Sequence, residues 1–366
     1  MSSNQTTGIS VNLSTGEVNA GTVQFRNRII NGDMRIDQRN SGVAASLTLN
    51  SLTYCLDRCF TNTTSFTTGS ATVQRVTDAP SGFMNSYKIT IGATPLSGGT
   101  NPYTWGVCQY IESYNINDFQ FGTLRASPLT ISFWFKGNNA GEYALTLIGY
   151  NPPTYSRYTT TFTVQANVWT FVTKLIPSTG ALTGTWNSTN DIGLQVAIAS
   201  YQGTAGNATA LNTWGSGNVN SATSLNWPSI ANATIQVTGV QLEKGQKATP
   251  FEFRPYPIEL VLCQRYFQPI VNWTGGNDST TSIAVNVQFQ QTMRATPNIE
   301  KVAGSTLNWR TPNVDNTSTS WTINAPAAST TNAWFQVINV TTGAIGQVVH
   351  HRTANNNVIA TANAEL

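Results

Sequence analysis

Charge is what this sequence has least of. Only 10% of its 366 residues are Asp, Glu, Lys or Arg, against about 25% in an average soluble protein. The 19 Lys and Arg and the 16 Asp and Glu give a net charge of +3. Neutralising a nucleic acid backbone takes a concentrated patch of basic side chains. Since the few basic residues are spread over the whole length, we expect no nucleic-acid partner.

Long apolar runs are also missing. No stretch approaches the roughly 18 apolar residues of a membrane-spanning helix. Residues 1–4, which read MSSN, have neither the basic start nor the apolar run of a signal peptide. We therefore expect a protein that is made in a cytosol, stays soluble and does not insert into a membrane.

Cysteine and histidine are scarce. The four Cys are too few for a disulfide framework and lack the CxxC pairs and His partners of a zinc site. We interpret them as buried thiols, with a Cys55–Cys59 bridge as the alternative. The two histidines, His350 and His351, are adjacent, so on a strand they point to opposite faces and cannot share one site.

Catalytic motifs are missing as well. The sequence has no GxSxG elbow, HExxH, Walker loop or GxGxxG. We predict that the protein is not an enzyme and requires no cofactor. One alternative stays open, because two carboxylates that are distant in sequence could meet in the fold as a glycosidase pair.

What the sequence does contain is a β pattern. Thr favours strands and Asn favours turns, and short runs of alternating apolar and polar residues recur between turn clusters. Such regular short strands indicate a β-sandwich or barrel with one buried face per strand. The predicted strands cover residues 71–76, 86–91, 129–137, 143–148, 158–164, 169–176, 192–199 and 234–242.

The same patterns divide the chain into an extended N-terminal arm (1–25), a β-sandwich (26–255), a connecting helix (256–269) and a second small β-sandwich (270–366). The arm carries too few apolar residues for a core of its own. It is either a docking segment, for a partner or for a copy of itself, or a frayed tail. The helix is predicted from Pro257 to Phe267, with Pro at its start.

Several tryptophans lie in or beside stretches rich in Asn, Gly and Thr. An aromatic ring can stack on the apolar face of a sugar while amides and hydroxyls bind its hydroxyl groups. Trp214, within a long loop at 202–226, and Trp309 and Trp321 in the second domain are the candidate glycan-binding residues. The alternative is that they are core residues, as most tryptophans of a sandwich are.

Two motifs near the N-terminus point to a family. Residues 27–39 read NRIINGDMRIDQR and residues 54–58 read YCLDR. This pattern resembles the opening of the jelly-roll, carbohydrate-binding-like domain of many phage tail fibre and receptor-binding proteins. Cys59 stands where that family has Trp, a departure that concerns one core contact.

The later part of the chain is similar to the same family. Residues 237–245 (VTGVQLEKG), 248–252 (ATPFE) and 259–267 (ELVLCQRYF) resemble its junction between the sandwich and a short helix. Residues 293–297 (MRATP) and 362–366 (ANAEL) are similar to its C-terminal β-domain. The resemblance thus covers nearly the whole chain.

The resemblance implies an all-β virion protein that is assembled in the host cytoplasm, a homotrimeric fibre on a phage tail or baseplate. It implies that residues 1–25 attach to a tail or baseplate protein, and that the distal domain or the 202–226 loop binds a host surface polysaccharide without cutting it. Because the first and last strands of such sandwiches often hold calcium, it also makes Asp33 and Glu243 candidate ligands of a structural Ca²⁺. The alternatives are a polysaccharide depolymerase tailspike and a structural adaptor or decoration protein that binds no host.

Overall fold

The computed structural model describes residues 9–12, 17–20, 25–99, 102–151, 154–178, 182, 184–203, 210–215, 219–271, 273–311, 314–340, 347–351 and 358–366. The described part of the N-terminal arm is extended. Its strands β1 (Ile9–Asn12) and β2 (Glu17–Ala20) pair antiparallel as a hairpin, with Val11 opposite Val18. Among the described residues, no helix has the length and apolar character needed to cross a bilayer.

The first domain is a β-sandwich, and three of its predicted strands have the observed bounds. Its strands are β3 (Ala45–Ser46), β4 (Leu52–Leu56), β5 (Cys59–Thr64), β6 (Ala71–Val76), β7 (Ser86–Ile91), β8 (Tyr103–Glu112), β9 (Leu129–Gly137), β10 (Gly141–Asn151), β11 (Thr154–Val164), β12 (Thr170–Ile176), β13 (Ile192–Tyr201), β14 (Trp214–Gly215) and β15 (Thr234–Lys244).

Two antiparallel sheets form the layers of this sandwich. The front sheet has the strand order β14-β11-β10-β13-β8-β5-β4, and the back sheet has the order β12-β9-β15-β7-β6-β3. Inward side chains of both sheets, such as Leu145 and Leu147 in front and Phe133 and Phe135 behind, form one continuous core. The jelly-roll β-sandwich that the sequence predicts is therefore confirmed.

One α-helix, α1 (Tyr256–Gln264), follows the sandwich. It begins directly after Pro255 and carries Glu259 in its first turn, where a carboxylate is favoured by the helix dipole. The predicted helix extends too far, because Phe267 already begins the next strand and pairs with Asn363 near the C-terminus. That backbone pairing competes with the helix and ends it three residues early.

The second domain is a smaller all-β unit with its own core. A three-stranded sheet has the order β16-β25-β19, and a seven-stranded sheet has the order β21-β20-β24-β17-β18-β23-β22. Their strands are β16 (Phe267–Ile270), β17 (Thr274–Ser279), β18 (Ser282–Gln288), β19 (Asn298–Lys301), β20 (Leu307–Thr311), β21 (Val314–Ser318), β22 (Thr322–Ala328), β23 (Asn332–Ile338), β24 (Val348–His351) and β25 (Ala360–Asn363).

The motif at residues 27–39 forms buried hydrogen bonds that join separate segments of the first domain. The Asn31 side chain accepts a hydrogen bond from the Ile36 amide (2.8 Å) and donates to the carbonyls of Ile36 (2.8 Å) and Asp57 (3.0 Å). Gly32 lies so close to β15 that a Cβ there would stand 2.2 Å from the carbonyl oxygen of Val240. These residues tie the start of the domain to its last strand.

The junction between the domains uses the remaining motif residues. Arg58 of the YCLDR motif and Arg39 of the DQR motif both bind the carboxylate of Glu365 in the C-terminal motif. The Arg58 guanidinium also lies over the Tyr266 ring, 3.5 Å from its centroid. The motifs that carry the family resemblance therefore hold the two domains together.

Candidate functional site

The outer face of the front sheet carries aromatic residues that the sequence pattern conceals. In β8 the side chains of Tyr103, Trp105, Cys108 and Tyr110 all belong to the cluster on this outer face. Strict alternation would send 105 and 108 to opposite faces. The alternation of side-chain directions shifts by one residue at Gly106 (φ +35°). The residues on either side of Gly106 pair with the residues on either side of Ala199 (φ +60°) in β13.

These aromatic rings form a continuous row across the sheet. Centroid distances are 5.2 Å for Tyr54–Phe60, 4.6 Å for Phe60–Tyr110, 6.0 Å for Tyr110–Tyr150 and 5.2 Å for Tyr150–Tyr155. Such tilted and edge-to-face contacts each contribute about 0.5–1.5 kcal/mol beyond burial. The row is consequently a stiff apolar floor, and Tyr155 at its end is 51% exposed.

One part of this outer face is covered and another is open. The carbonyl of Val219 accepts hydrogen bonds from Thr146 (2.9 Å) and Ser200 (2.7 Å), which fastens that buried loop residue onto the sheet. At the Tyr150 and Tyr155 end the surface opens into a groove of about 350 Å³, here named the tyrosine groove. Its described lining consists of Tyr150, Tyr155, Asn187, Asp191, Ile192, Arg294 and Leu366.

The tyrosine groove lies at the boundary of the two domains. Arg294 of the second domain donates to the carbonyls of Asn190 (2.8 Å), Ala364 (2.9 Å) and Glu365 (3.1 Å). A guanidinium has five N–H donors, so those three bonds leave capacity for a ligand. Ligand sites occur preferentially at such domain boundaries.

The polar groups that line the groove can exchange hydrogen bonds with uncharged hydroxyl groups of a ligand. The Tyr150 hydroxyl donates to the side-chain carbonyl of Gln195 (3.2 Å), and burial raises the pKa of Tyr150 above its usual value. The phenol therefore stays protonated at physiological pH. Asp191 is the only acidic side chain among the described residues that line the groove.

A second, larger pocket of about 670 Å³ shares Asn187 with the groove and is here named the tryptophan pocket. Trp186 lines it and is half-buried, with its ring centroid 4.8 Å from that of Phe121. Gly149 makes room for it, because a Cβ there would stand 2.3 Å from the indole. The described lining is Ser113, Ile116, Asn117, Gln120, Phe121, Thr123, Leu124, Arg125, Trp186 and Asn187.

The three tryptophans singled out by sequence are core residues. Trp214, Trp309 and Trp321 are 3%, 2% and 0% exposed. The Trp214 indole donates to the Pro177 carbonyl (2.7 Å), and that of Trp321 donates to the Ser305 carbonyl (3.1 Å). Their ring faces are covered by protein, so they offer no stacking surface to a sugar in solution.

The two candidate calcium ligands are occupied by protein donors. The Glu243 carboxylate accepts hydrogen bonds from the Thr249 amide (2.9 Å), the Thr249 hydroxyl (2.7 Å) and the Gln241 amide (3.0 Å). Asp33 is ion-paired with Arg35, and burial raises its pKa. Within the described part of the chain, no group of three or more His, Cys, Asp or Glu residues could hold a metal ion.

The cysteines are buried and free, as the sequence predicts, and no Cys55–Cys59 bridge is formed. Burial raises the pKa of Cys55 and of Cys59 to about 12. Thiols of this kind stay protonated at neutral pH and are poor nucleophiles. They are packing residues.

Comparisons with known proteins find similarity to solved structures. No family model matches the chain, and no curated protein matches it. Among solved structures, 60% of the chain aligns with all of a putative sugar binding protein from Bacteroides thetaiotaomicron (14% identity, TM-score 0.32). In another alignment, 57% of the chain matches 99% of a family 11 carbohydrate-binding module of a Clostridium thermocellum cellulase (13% identity, TM-score 0.28).

A phage protein is also among these structures. The enzymatically active domain of tailspike protein 4 of bacteriophage CBA120 aligns with 62% of the chain at 10% identity and a TM-score of 0.30. The alignment spans only 23% of that tailspike chain. The structural neighbours thus include carbohydrate-binding modules and a phage tailspike domain.

Proposed function

We propose that this protein binds a surface carbohydrate through the tyrosine groove, without cutting it and without a cofactor. The observation that carries the proposal is the aromatic row that ends in half-exposed rings beside polar groups at the domain boundary. Tyr155 would stack on the apolar face of a sugar ring. Asp191 and Asn187 would accept and donate the hydrogen bonds of its hydroxyl groups.

The tryptophan pocket extends the proposed surface. Asn187 lines both depressions, so a linear oligosaccharide that passes this residue would contact Tyr155 on one side and Trp186 on the other. Stacking platforms at two places fix the direction of a chain as well as its position. A polymer of several sugar units is therefore a better ligand than a monosaccharide.

The biological setting that we propose is a phage virion, and it rests on the motif resemblance. In this setting the chain is a tail fibre protein that is assembled in the host cytoplasm as a homotrimer. Its N-terminal arm attaches to a tail or baseplate protein, and the groove faces the host polysaccharide. Several weak sites on one particle would act together, since multivalency raises avidity by about 10² to 10⁴.

The proposal is tested by incubating the purified full chain with intact bacteria and with an array of bacterial surface polysaccharides, while released reducing ends are measured. Saturable binding without release supports a non-enzymatic receptor-binding protein. Release of reducing ends would instead identify a depolymerase. A folded protein that neither binds nor releases sugar would favour the structural adaptor.

A further inference from the structure

The outer face of the back sheet carries a second aromatic surface. Phe171 of the edge strand β12 is 51% exposed and contacts Trp134 of β9, with centroids 5.3 Å apart. Gly239 (φ +63°) interrupts β15 beside it, and a Cβ there would lie 2.7 Å from Phe83 and 3.2 Å from Trp134. The glycine therefore lets Phe83 and Trp134 approach each other across the sheet.

The surface continues from Phe83 to the helix. Phe83 lies 5.2 Å from Phe251 and 5.4 Å from Phe253, and those two rings are 4.8 Å apart. Phe251, Phe253, Phe25 and Ile258 line one groove of about 560 Å³. We call this surface the apolar stripe; its exposed members are Phe25, Phe171, Phe253 and Ile258, and we add the exposed Leu175 of β12 and Tyr256 of α1.

The exposed apolar area of the stripe lies at the upper end of what a monomer shows and approaches that of an interface. Its six exposed members are each between 43% and 56% exposed, so together they present about 600 Å² if a large apolar side chain buries 150–250 Å². The largest apolar patch of a typical monomer is about 300–600 Å². A stable interface buries about 800 Å² per partner including its polar rim.

Three ion pairs within the chain lie beside the stripe. Lys136 is ion-paired with Asp78, Arg254 lies 3.3 Å from Glu259, and Arg26 lies 3.7 Å from Glu243. Where identical copies meet at the symmetry axis of an oligomer, the same rim of each copy lies close to that of its neighbours. A rim that carries unpaired charges of one sign would repel the same rim of a second copy. A rim whose charges are paired within the chain does not.

We propose that the apolar stripe binds a second copy of this chain and forms the contact between neighbouring subunits of the oligomer. The inference deepens the proposed function, on whose oligomeric state it rests, by assigning the surface that makes it. Phe25, the last residue of the N-terminal arm, lies at one end of the stripe. Packing along the stripe would therefore bring the arms of neighbouring copies together while the tyrosine groove, on the opposite sheet, stays open.

The test is the molar mass of the full chain in solution, measured by light scattering and sedimentation velocity over a range of concentrations. The double variant Phe171→Ser/Phe253→Ser removes two exposed rings from opposite ends of the stripe. The matched control is Tyr114→Ser, which removes an aromatic side chain that is 58% exposed elsewhere on the first domain. We expect an oligomer for the wild type and the control, and at least a tenfold weaker association for the double variant.

A monomeric wild type, or a double variant that associates as strongly as the wild type, would overturn the proposal. Hydrogen exchange of the wild type provides a measurement that does not depend on the variant folding. We expect slower exchange at high concentration in residues 169–176 and 251–261; protection confined to residues 9–20 would assign the contact to the N-terminal hairpin and also overturn it.

Polysaccharide affinity per chain, measured on the same samples, separates this proposal from the proposed function. An oligomer that dissociates in the double variant but never binds sugar would leave the stripe assignment standing. A sugar-binding monomer would leave only the groove assignment standing.

Discussion

Arg58 and Glu365 form a buried ion pair between residues 307 positions apart. Arg58 is 1% exposed and belongs to the first domain, whereas the Glu365 side chain, 5% exposed, follows the last strand of the second. Arg39 donates to the other carboxylate oxygen of Glu365 at 2.9 Å. One acidic side chain thus neutralises two arginines and fixes the domain boundary at which the tyrosine groove is built.

Loss of this acidic side chain should be costly. We expect Glu365→Gln to lower the free energy of unfolding by about 3–5 kcal/mol, because the fully buried Arg58 guanidinium would lose its ion-pair partner and Arg39 would lose one as well. The exposed pair Arg310–Asp315, 3.7 Å apart, provides the control, and Arg310→Gln should change stability by at most about 1 kcal/mol. Urea unfolding of both variants measures the difference; equal effects would show that the junction pair has no special role.

Stability should also depend on the protonation of Asp57. Burial raises the pKa of this carboxyl to about 6 in the folded chain, above the value of about 3.9 for an unfolded Asp. The folded state then binds more protons between these values, so the stabilisation is present below about pH 4 and is lost as the pH rises through 6.

The neutral variant Asp57→Asn isolates this contribution. From pH 4 to pH 7 the unfolding free energy of the wild type should fall by about 2 kcal/mol more than that of the variant. Other titrating groups cancel in the comparison. Parallel pH profiles of the two proteins, measured by urea unfolding, would contradict the raised pKa.

The buried tryptophans should affect stability and not sugar binding. Trp321→Ala removes a fully buried ring, and such truncations cost about 3–5 kcal/mol. We expect a large drop in the denaturation midpoint with unchanged affinity of the molecules that remain folded. If the Trp321→Ala protein kept wild-type stability but lost its affinity for polysaccharide, Trp321 would be a ligand-binding residue.

The close approach of Gly32 to β15 gives a prediction about the first motif. Gly32→Ala would place a methyl group against the Val240 carbonyl, and we expect a loss of about 1–3 kcal/mol from this overpacking. Gly276 is the matched control, because a Cβ there would have its nearest neighbour at 3.5 Å. Thermal unfolding of both alanine variants should show a clearly larger decrease in melting temperature for position 32. Similar decreases would mean that the backbone at residue 32 moves away from β15 at little cost.

Sequence periodicity predicts the strands of the first domain well, since Ala71–Val76, Ser86–Ile91 and Leu129–Gly137 have the expected bounds. In each of these strands, apolar residues at every second position mark the face that packs on the core. The end of α1 could not be predicted, because Phe267 is drawn into a strand by a partner 96 positions away. Local pattern contains no information about such pairing.

The candidate site was largely hidden from the sequence for two physical reasons. Its aromatic row takes one ring from each of five strands, and Trp105 and Tyr110 share a face only because the alternation shifts at Gly106; regular alternation would place them on opposite faces. Trp186, in contrast, was visible as an aromatic residue in a Thr- and Asn-rich stretch. Sequence context did not distinguish Trp186 from the buried Trp214, Trp309 and Trp321, because the burial of a ring depends on which parts of the folded chain pack against it.

The most direct test of glycan recognition by the tyrosine groove compares two exposed tyrosines. Tyr155→Ala removes the half-exposed ring of the groove, and Tyr114→Ala removes a ring of similar exposure outside it. Titration calorimetry with a polysaccharide fragment that the wild type binds should show affinity about 3- to 10-fold weaker for Tyr155→Ala, the equivalent of one stacking contact, and wild-type affinity for Tyr114→Ala. Undiminished affinity of a folded Tyr155→Ala protein would contradict the assignment of the groove as the binding site.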